Sequence, residues 1–407
     1  LFHEFSRFVI GTPLRQQPAA SGKPAAEQGY RTTGIQDLAL IYQGGSHRLD
    51  WTVDEFRPYV VHRFADGSKD WLFDGFLFLE FKDGSGRNYT VGYEKLNARR
   101  TEWEWLLDRI FEQGKSLSAL DRCIGQEIKE LGKPAFRHQI VLGLPEAIRG
   151  QKDWGKLDGR EMDFSKEEDQ IAATKWYIGE LVERFKAAKY KHLELSGFYW
   201  VAEDTHHCAE LTIPLSEYIH SEGKLFYWIP YWQAKGHEEW KRLGFDVAYQ
   251  QPNHFFNHSI PDSRLDEACA TARRHGMAME FEFDEKATAA IPNSSYDRMV
   301  AYIDHFEKND VFNSSAVAYY CGNRGVLTLD ESDNPKDKAL MDRLARIIQA
   351  RRYLKYGIPM KNKTRVVAHR GFWHTDGSAQ NSIASLLKAD QLGVYGVEFD
   401  VWMASDG

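Results

Sequence analysis

The sequence has little of three things that would each define a class of protein. Its four cysteines, Cys123, Cys208, Cys269 and Cys321, are widely scattered, so they form neither a zinc knuckle nor a disulfide framework. No run of eighteen apolar residues occurs, and so no stretch predicts a transmembrane segment. The net charge is −7 and no basic stripe stands out, which argues against a nucleic acid as the partner.

Aromatic residues, by contrast, are abundant. They make up 14% of the chain and include 12 Trp. Bulky rings fill a large core, and flat apolar faces also suit the C–H faces of sugars. Composition alone leaves both interpretations open.

The order of the apolar segments predicts the fold. Residues 1–34, rich in Pro, Ala, Gly and Gln over 11–29, indicate a flexible lead-in. Over residues 35–356, short apolar runs alternate with amphipathic helical patterns. We expect this region to form an α/β fold, a (β/α)8 TIM-like barrel. A doubly wound open sheet is the alternative, and it is less favoured because no glycine-rich phosphate loop follows the first run. The eight apolar runs are 37–45, 73–81, 137–145, 192–200, 224–232, 245–252, 277–283 and 315–322.

Carboxylates stand at the ends of two of these predicted strands. The fourth run leads to Glu203, and the seventh places Glu280 and Glu282 on one face. In a barrel of this kind the active site lies at the C-terminal ends of the strands. Glycoside hydrolysis needs two carboxylates across the scissile bond, one protonated and one ionised. We therefore predict Glu203 as the general acid/base and Glu282 as the nucleophile or second carboxylate, with Glu280 in its place if the register shifts by two.

Aromatic and amide side chains near the strand ends are candidates for binding a sugar. An apolar platform with a few polar groups is how small-ligand sites are usually lined. The predicted substrate-binding residues are Tyr199, Trp200, Tyr231, Trp232, Tyr249, Gln251 and Asn253. For any single glutamate, however, an ion pair with an arginine is the commoner role, and a non-catalytic carbohydrate-binding barrel stays open as an alternative.

Residues 35–352 resemble the bacterial domain-of-unknown-function family 4855, through `WLFDGFLFLEF`, `SGFYWVAED` and `YQQPN`. The resemblance implies a glycoside-hydrolase-like barrel. The acids on the fourth and seventh strands also resemble the clan A arrangement of retaining glycosidases. In that clan an Asn precedes the strand-four acid, whereas Ala202 precedes Glu203 here.

Residues 366–407 resemble the opening of a glycerophosphodiester phosphodiesterase domain. His369 and Arg370 match the His-Arg start of that family, and Glu398 and Asp400 match its metal pair. Gln380 stands where the family has a glutamate that binds metal.

The resemblance implies a divalent metal, Ca or Mg, only in a complete domain. The chain stops at Gly407, before the family's second catalytic histidine, so we expect residues 357–407 to be a truncated, inactive fragment of a second barrel.

The sequence as a whole predicts a hydrolase, a glycosidase acting on a poly- or oligosaccharide. We expect a carbohydrate as the partner of the barrel and no cofactor in it. We expect the protein to be secreted, periplasmic or on the cell surface. The two alternatives are the carbohydrate-binding barrel and the partial phosphodiesterase. The residues do not predict the sugar, the linkage or the oligomeric state.

Overall fold

The computed structural model describes residues 33–358, 366–373, 375 and 377–401. The chain divides into two compact units, one of residues 24–357 and one that includes residues 358–407. Apart from residues 33 and 34, the predicted lead-in lies outside the described residues.

The larger unit is a closed barrel of eight parallel strands, which confirms the predicted fold class. Each strand pairs with the next along the chain, and the last pairs with the first. All eight apolar runs named above contain a barrel strand. The strands are β1 Asp37–Tyr42, β2 Gly75–Leu79, β3 His138–Leu144, β4 Leu193–Trp200, β5 Leu225–Trp228, β6 Val247–Gln250, β7 Ala278–Glu282 and β8 Val317–Tyr320.

Helices follow most of the strands. The first two are α1 Val53–Val60 and α2 Arg100–Ile110, followed by α3 Ser116–Leu131, α4 Glu167–Ala188, α5 Ala209–Ser221 and α6 Ser263–His275. The last four of the barrel are α7 Tyr296–Lys308, α8 Val311–Ser314, α9 Gly325–Glu331 and α10 Pro335–Tyr356. Between β5 and β6 the described chain has only a single 3-10 turn, His237–Glu239.

Short strand pairs lie in the loops outside the barrel. They are Val61–Arg63 with Lys69–Trp71, Arg87–Asn88 with Leu96–Asn97, and Lys156–Leu157 with Arg160–Glu161. The loop that carries residues 80–99 extends beyond the end of β2 and reaches the barrel mouth.

Alternation along the strands sorts the core into two layers. On β7, Met279 and Phe281 pack outward against the helices, as part of the main hydrophobic cluster. Ala278 belongs to a second cluster, which fills the barrel interior. Because side chains alternate along a strand, Glu280 and Glu282 share the face of Ala278, as predicted.

Strand β4 contains a bulge that changes which residues face inward. Its pairing with β3 shifts between Leu195 and Gly197, so Ser196 is an extra residue in the strand. Before the bulge, Leu195 packs in the outer cluster. After it, Tyr199 faces the interior and Trp200 the outer layer. The bulge therefore sets the orientation of the strand end that leads to Glu203.

Charged residues close the N-terminal end of the barrel with ion pairs. Arg351 on α10 contacts the Asp37 carboxylate at 2.7 Å, and both side chains are 3% exposed. Asp37 also accepts the Tyr319 hydroxyl at 2.8 Å. Asp74 accepts the backbone N–H of Asp37 at 2.8 Å and lies 3.4 Å from the Lys355 ammonium group. These acids are buried, and each has a cationic partner.

The C-terminal segment is described separately. It holds β9 Val367–His369, α11 Ile383–Gln391 and β10 Gly396–Glu398, and the two strands pair in parallel. One β-α-β unit is thus present among residues 366–401, and the second barrel stays a prediction. No helix in the described parts of either unit is long and apolar enough to cross a membrane.

Candidate active site at the barrel mouth

A cavity of about 160 Å³ opens at the C-terminal ends of the strands. Four segments build its wall: the loops after β2 and β3, the chain that leaves β4, and the loop after β5. Its lining residues are Thr90, Val91, Tyr93, Glu146, Val201, Ala202, Glu203, Asp204, His207, Cys208 and Tyr231. The predicted acid Glu203 is thus in the cavity wall, at the end of the barrel where such enzymes place their chemistry.

Glu203 is partly buried beside a second acid. Its Oε1 accepts a hydrogen bond from Gln251 Nε2 at 2.7 Å. Burial raises the pKa of Glu203, repulsion from Asp204 adds to the rise, and the Gln251 donor opposes it. A raised pKa keeps a carboxyl group protonated closer to neutral pH, which a general acid requires.

Glu282 is buried, with an exposed fraction of 1%, and both of its oxygens are engaged. Oε1 faces Asn253 Nδ2 at 3.4 Å, and Oε2 accepts the backbone N–H of His254 at 3.0 Å as well as the Tyr302 hydroxyl. Burial raises its pKa to about 7, against the effect of these donors. Its donors come from the loop after β6 and from α7, so this carboxyl group ties that loop to β7.

Glu280 has the opposite environment, although it is also buried, with 2% of its surface exposed. Within the described chain it has neither a hydrogen bond nor an ion pair. Tyr42, Tyr199 and Tyr320 lie close enough to Glu280 for its charge to raise the pKa of each. Burial, followed by repulsion from Glu282 and then Glu203, raises the pKa of Glu280 well above its usual range. Glu280 and Glu203 therefore belong to one electrostatic site.

The predicted aromatic platforms divide between the mouth and the core. Tyr231 lines the cavity and donates its hydroxyl to Asp204 at 2.9 Å. Tyr199 is 1% exposed and lies inside the barrel beneath Glu203.

The other three predicted aromatic residues are not brought to the cavity. Trp200 packs outward against Phe226, with ring centres 6.1 Å apart, because the β4 bulge turns it away from the axis. Tyr249 is fully buried, among Tyr227 and Asp74 toward the N-terminal end. Trp232 is partly buried against the outer cluster. Trp200 and Tyr249 are buried and Trp232 is partly exposed, and a sugar-binding role for these three residues stays a prediction.

The predicted amides lie between the two carboxylates rather than in the open cavity. Gln251 is 7% exposed, and Asn253 Nδ2 donates to its Oε1 at 3.0 Å. Asn253 in turn lies 3.4 Å from Glu282, while Gln251 bonds to Glu203. The loop after β6 thus connects Glu203 to Glu282 through two amides.

Sequence reasoning missed Glu146 and Tyr93. Glu146 follows β3, and its Oε2 accepts the Thr90 hydroxyl at 2.7 Å and the backbone N–H of Val91 at 3.1 Å. Its Oε1 has no hydrogen-bond partner in the described chain, and burial raises the pKa of this carboxyl group. The rule that identified Glu203, an acid just after a barrel strand, also applies to the sequence `GLPEA`.

The cavity wall is acidic. Glu146, Glu203 and Asp204 line it, and His207 is the only basic side chain among the lining residues of the described chain. The nearby Arg48 is bound by Glu80, with its guanidinium Nε 2.9 Å from a carboxylate oxygen. An anionic group in this cavity would meet repulsion that no adjacent cation offsets.

The residues do not form a metal site. Among the described residues, no group of three or more His, Cys, Asp or Glu side chains is placed to hold a metal ion. In the C-terminal segment, Arg370 Nε lies 2.9 Å from Asp400, and His369 Nε2 lies 3.7 Å from Glu398. These four residues lie at or just after the ends of β9 and β10. An arginine already neutralises Asp400, however, and Gln380 is not an acidic ligand, so the described set does not fit a complete metal site.

The family model described as Domain of unknown function (DUF4855) matches residues 37–346. This is most of the chain, and the protein belongs to that family. No curated protein matches the chain.

Solved structures share the fold at low identity. A candidate alpha-L-fucosidase from Bacteroides thetaiotaomicron is 13% identical, covers 83% of this chain and 99% of its own, and has a TM-score of 0.40. A GH18 chitinase from Pseudoalteromonas aurantia is 11% identical, covers 75% and 99%, and has a TM-score of 0.39. The tryptophan synthase alpha-subunit from Pyrococcus furiosus is 9% identical, covers 80% and 99%, and scores 0.37.

Proposed function

We propose that the barrel is a glycoside hydrolase whose two working carboxylates are Glu203 and Glu280. The observation that supports this proposal is the contrast on β7. The oxygens of Glu282 are taken up by the protein, whereas Glu280 has no partner in the described chain and shares an electrostatic site with Glu203. A buried carboxyl group without a partner is destabilising, and groups of that kind cluster at functional sites.

The proposed chemistry needs one protonated and one ionised carboxyl group in the same site. Burial raises the pKa of both Glu203 and Glu280, and the reactive form carries its proton on Glu203 and leaves Glu280 ionised. Glu203 lines the cavity and protonates the departing glycosidic oxygen. Glu280, once ionised, attacks the anomeric carbon or directs a water molecule to it. Glu282 acts indirectly, by holding the loop after β6.

The acidic wall supports a neutral or amino-bearing sugar rather than a uronic acid. With Glu146, Glu203 and Asp204 on one side and no arginine or lysine among the lining residues described, a substrate carboxylate is disfavoured. The cavity is small for a whole ligand, since ligand sites usually have volumes of about 300–1,000 Å³. It therefore suits one sugar ring of a longer chain, with the rest lying along the open mouth.

The test is hydrolysis of a panel of neutral, amino-bearing and uronic aryl glycosides and oligosaccharides. We expect Glu203→Gln and Glu280→Gln to lower kcat/KM on the cleaved member by about 100-fold or more. Glu194→Gln is the control. Glu194 is exposed and lies on β4, the strand that leads to Glu203, so this variant should keep full activity. If Glu280→Gln kept full activity and Glu282→Gln lost it, the second catalytic carboxylate would be Glu282 and not Glu280.

The pH dependence of kcat/KM provides a further measurement. The profile has one limb for each carboxyl group, with the lower of the two pKa values on the acid side. Burial raises the pKa of Glu203 and raises that of Glu280 well above its usual range, so both limbs move upward. We expect an optimum displaced toward neutral pH from that of a pair of ordinary carboxyl groups near about 4.3. A profile centred near that ordinary value would contradict this assignment.

We further propose that residues 366–401 are the start of a phosphodiesterase-type unit. The convergence of His369, Arg370, Glu398 and Asp400 at two parallel strand ends supports this assignment. With Ca²⁺ or Mg²⁺ added, we expect this chain to release no glycerol phosphate from a glycerophosphodiester, because the described residues lack a third acidic ligand. Metal-dependent release would contradict that expectation. For the barrel, a polymeric carbohydrate substrate fits a secreted, periplasmic or cell-surface protein.

A further inference from the structure

We propose that Gln251 and Asn253 form a fixed amide relay that orients Glu203 and decides which of its two oxygens carries the transferable proton. Both are then positioning residues rather than sugar-binding ones. The inference rests on the proposed function for its catalytic meaning, while the relay itself is a property of the folded protein.

Gln251 has no amide proton left for a substrate. Its Nε2 donates to Glu203 Oε1 at 2.7 Å and to the Ile229 carbonyl at 2.9 Å, which uses both amide protons. Its Oε1 accepts from Asn253 Nδ2 at 3.0 Å. The side chain is 7% exposed. A sugar oxygen could accept a proton of this amide only by displacing one of the two internal bonds.

The direction of the relay is set by the backbone. The N–H of Trp232 donates to Asn253 Oδ1 at 2.6 Å. A backbone N–H only donates, so the oxygen of Asn253 must face Trp232 and its nitrogen must face Gln251. The Gln251 oxygen is then the acceptor, and its nitrogen must face Glu203. One backbone donor therefore fixes both amide orientations.

The loop that carries Asn253 is itself held in place. Asn253 has a φ of +48°, a left-handed conformation that asparagine tolerates better than most residues. Glu282 anchors the loop through the backbone N–H of His254 at 3.0 Å and through Asn253 at 3.4 Å. The buried glutamate on β7 thus reaches Glu203 through two side chains.

The consequence for Glu203 is an asymmetry between its oxygens. A proton on Oε1 would compete with the Gln251 donor for the same oxygen, because a donor prefers the acceptor that bears no hydrogen. The proton of the acid form therefore resides on Oε2. The relay presents one defined oxygen to the leaving group, and such preorganisation is worth more in a buried site than in water.

The test uses the full chain and follows the Glu203 carboxyl carbon by NMR titration, assigned with Glu203→Gln. Gln251→Met removes the donor that favours the ionised form, and the midpoint should rise by about one pH unit. Asn253→Asp keeps the left-handed backbone but replaces a donor with an acceptor. The Gln251 amide then turns its nitrogen toward the new carboxylate and its oxygen toward Glu203, and the midpoint should rise at least as far.

Gln250→Met is the matched control. It removes a buried amide of the same size that donates only to the carbonyls of Gln251 and Tyr231, so the Glu203 midpoint should not move. Midpoints unchanged in both relay variants, or moved equally by the control, would overturn the proposal.

Kinetics separate this inference from the proposed function. If the protein cleaves a glycoside, Gln251→Met should lower kcat about 10-fold or more with KM nearly unchanged and move upward the limb of the pH profile that reports Glu203. A raised KM with an unchanged kcat and profile would instead make Gln251 a substrate-binding residue and overturn the relay. If no glycoside is cleaved, the proposed function fails, and the titration still decides the relay.

Discussion

Carboxyl groups lie at both ends of the barrel, but their charged partners differ. At the N-terminal end, Asp37 pairs with Arg351 at 2.7 Å, and Asp74 lies 3.4 Å from Lys355. At the mouth, Glu203 and Glu280 have no cation within ion-pair distance among the described residues. Asp37 and Glu280 are both 2% exposed, so for these two acids the difference lies in the partners.

This contrast separates stability from chemistry along one set of strands. A buried ion pair with satisfied hydrogen bonds is costly to break and holds the elements together. A buried acid without a partner weakens the fold and is retained where something else is to be bound. Ion pairs therefore stabilise the N-terminal end of the barrel, whereas the acids at the mouth have no cationic partner among the described residues.

The largest expected effect comes from breaking a pair at the N-terminal end. Arg351→Met leaves the Asp37 charge buried and alone, which should lower the free energy of unfolding by about 3–5 kcal/mol. Urea unfolding followed by circular dichroism measures it. Arg242→Met is the control, since its side chain is 71% exposed in a surface pair with Glu239, and it should change stability by less than about 0.5 kcal/mol. Equal effects in the two variants would erase the contrast between the ends.

At the mouth, replacing the acid is expected to raise the stability of the protein rather than lower it. The folded protein raises the pKa of Glu280, so it binds the proton more tightly than the unfolded chain does. This contribution to stability is full below the unfolded pKa of about 4.3 and is lost as pH rises through the folded pKa.

Glu280→Gln removes the loss of stability that occurs in the wild type as Glu280 ionises. Above about pH 4.3 the variant should gain stability on the wild type by about 1.4 kcal/mol per pH unit, up to the folded pKa. Urea unfolding at pH 5 and pH 8 measures the difference. If the free energy of unfolding of the variant fell relative to the wild type as pH rises, Glu280 would have a stabilising partner, as Asp37 does.

A smaller effect concerns a neutral group near the N-terminal end. His138 is 1% exposed, and burial together with Arg352 lowers its pKa to about 3. Its contribution is present above the unfolded pKa of about 6.5 and is lost as pH falls toward the folded value.

His138→Phe should therefore flatten the decline of stability between pH 6.5 and pH 5, by about 1–2 kcal/mol over that range. Thermal unfolding at several pH values measures the slope, and the exposed His206→Phe should leave it unchanged. A slope that stays the same in the His138 variant would place the acid sensitivity elsewhere.

The strands were predictable because their buried residues are nearly continuous in the sequence, as parallel strands require. Segment 229–246 was less so, since its only described helical turn is three residues long. Acids after strands were also predictable, and the same reasoning applied to `GLPEA` would have found Glu146.

The different environments of Glu280 and Glu282 were not predictable. They arise from Tyr302 and His254, which contact Glu282 from distant parts of the sequence. The directions of Tyr199 and Trp200 were not predictable for a related reason. Neighbours on a strand face opposite ways, and the bulge at Ser196 decides which one faces inward.

The bulge in β4 determines which of the later residues of the strand face the barrel interior. At the adjacent Gly197, an added Cβ would lie 2.0 Å from the Leu225 carbonyl oxygen, so the phase is locked by the close approach of β5. Deleting Ser196 would remove the extra residue and leave Gly197 paired with Val141, so Tyr199 would still face the interior and Trp200 the outer layer. If Ser196 instead took up the pairing with Val141 and the bulge were lost, every later residue of the strand would move by one position. Trp200 would then be directed into the barrel and Tyr199 out of it, with the composition of the strand unchanged. A change in pairing alone would thus exchange the residues beneath the proposed site, and a substitution-by-substitution comparison of relatives would overlook it.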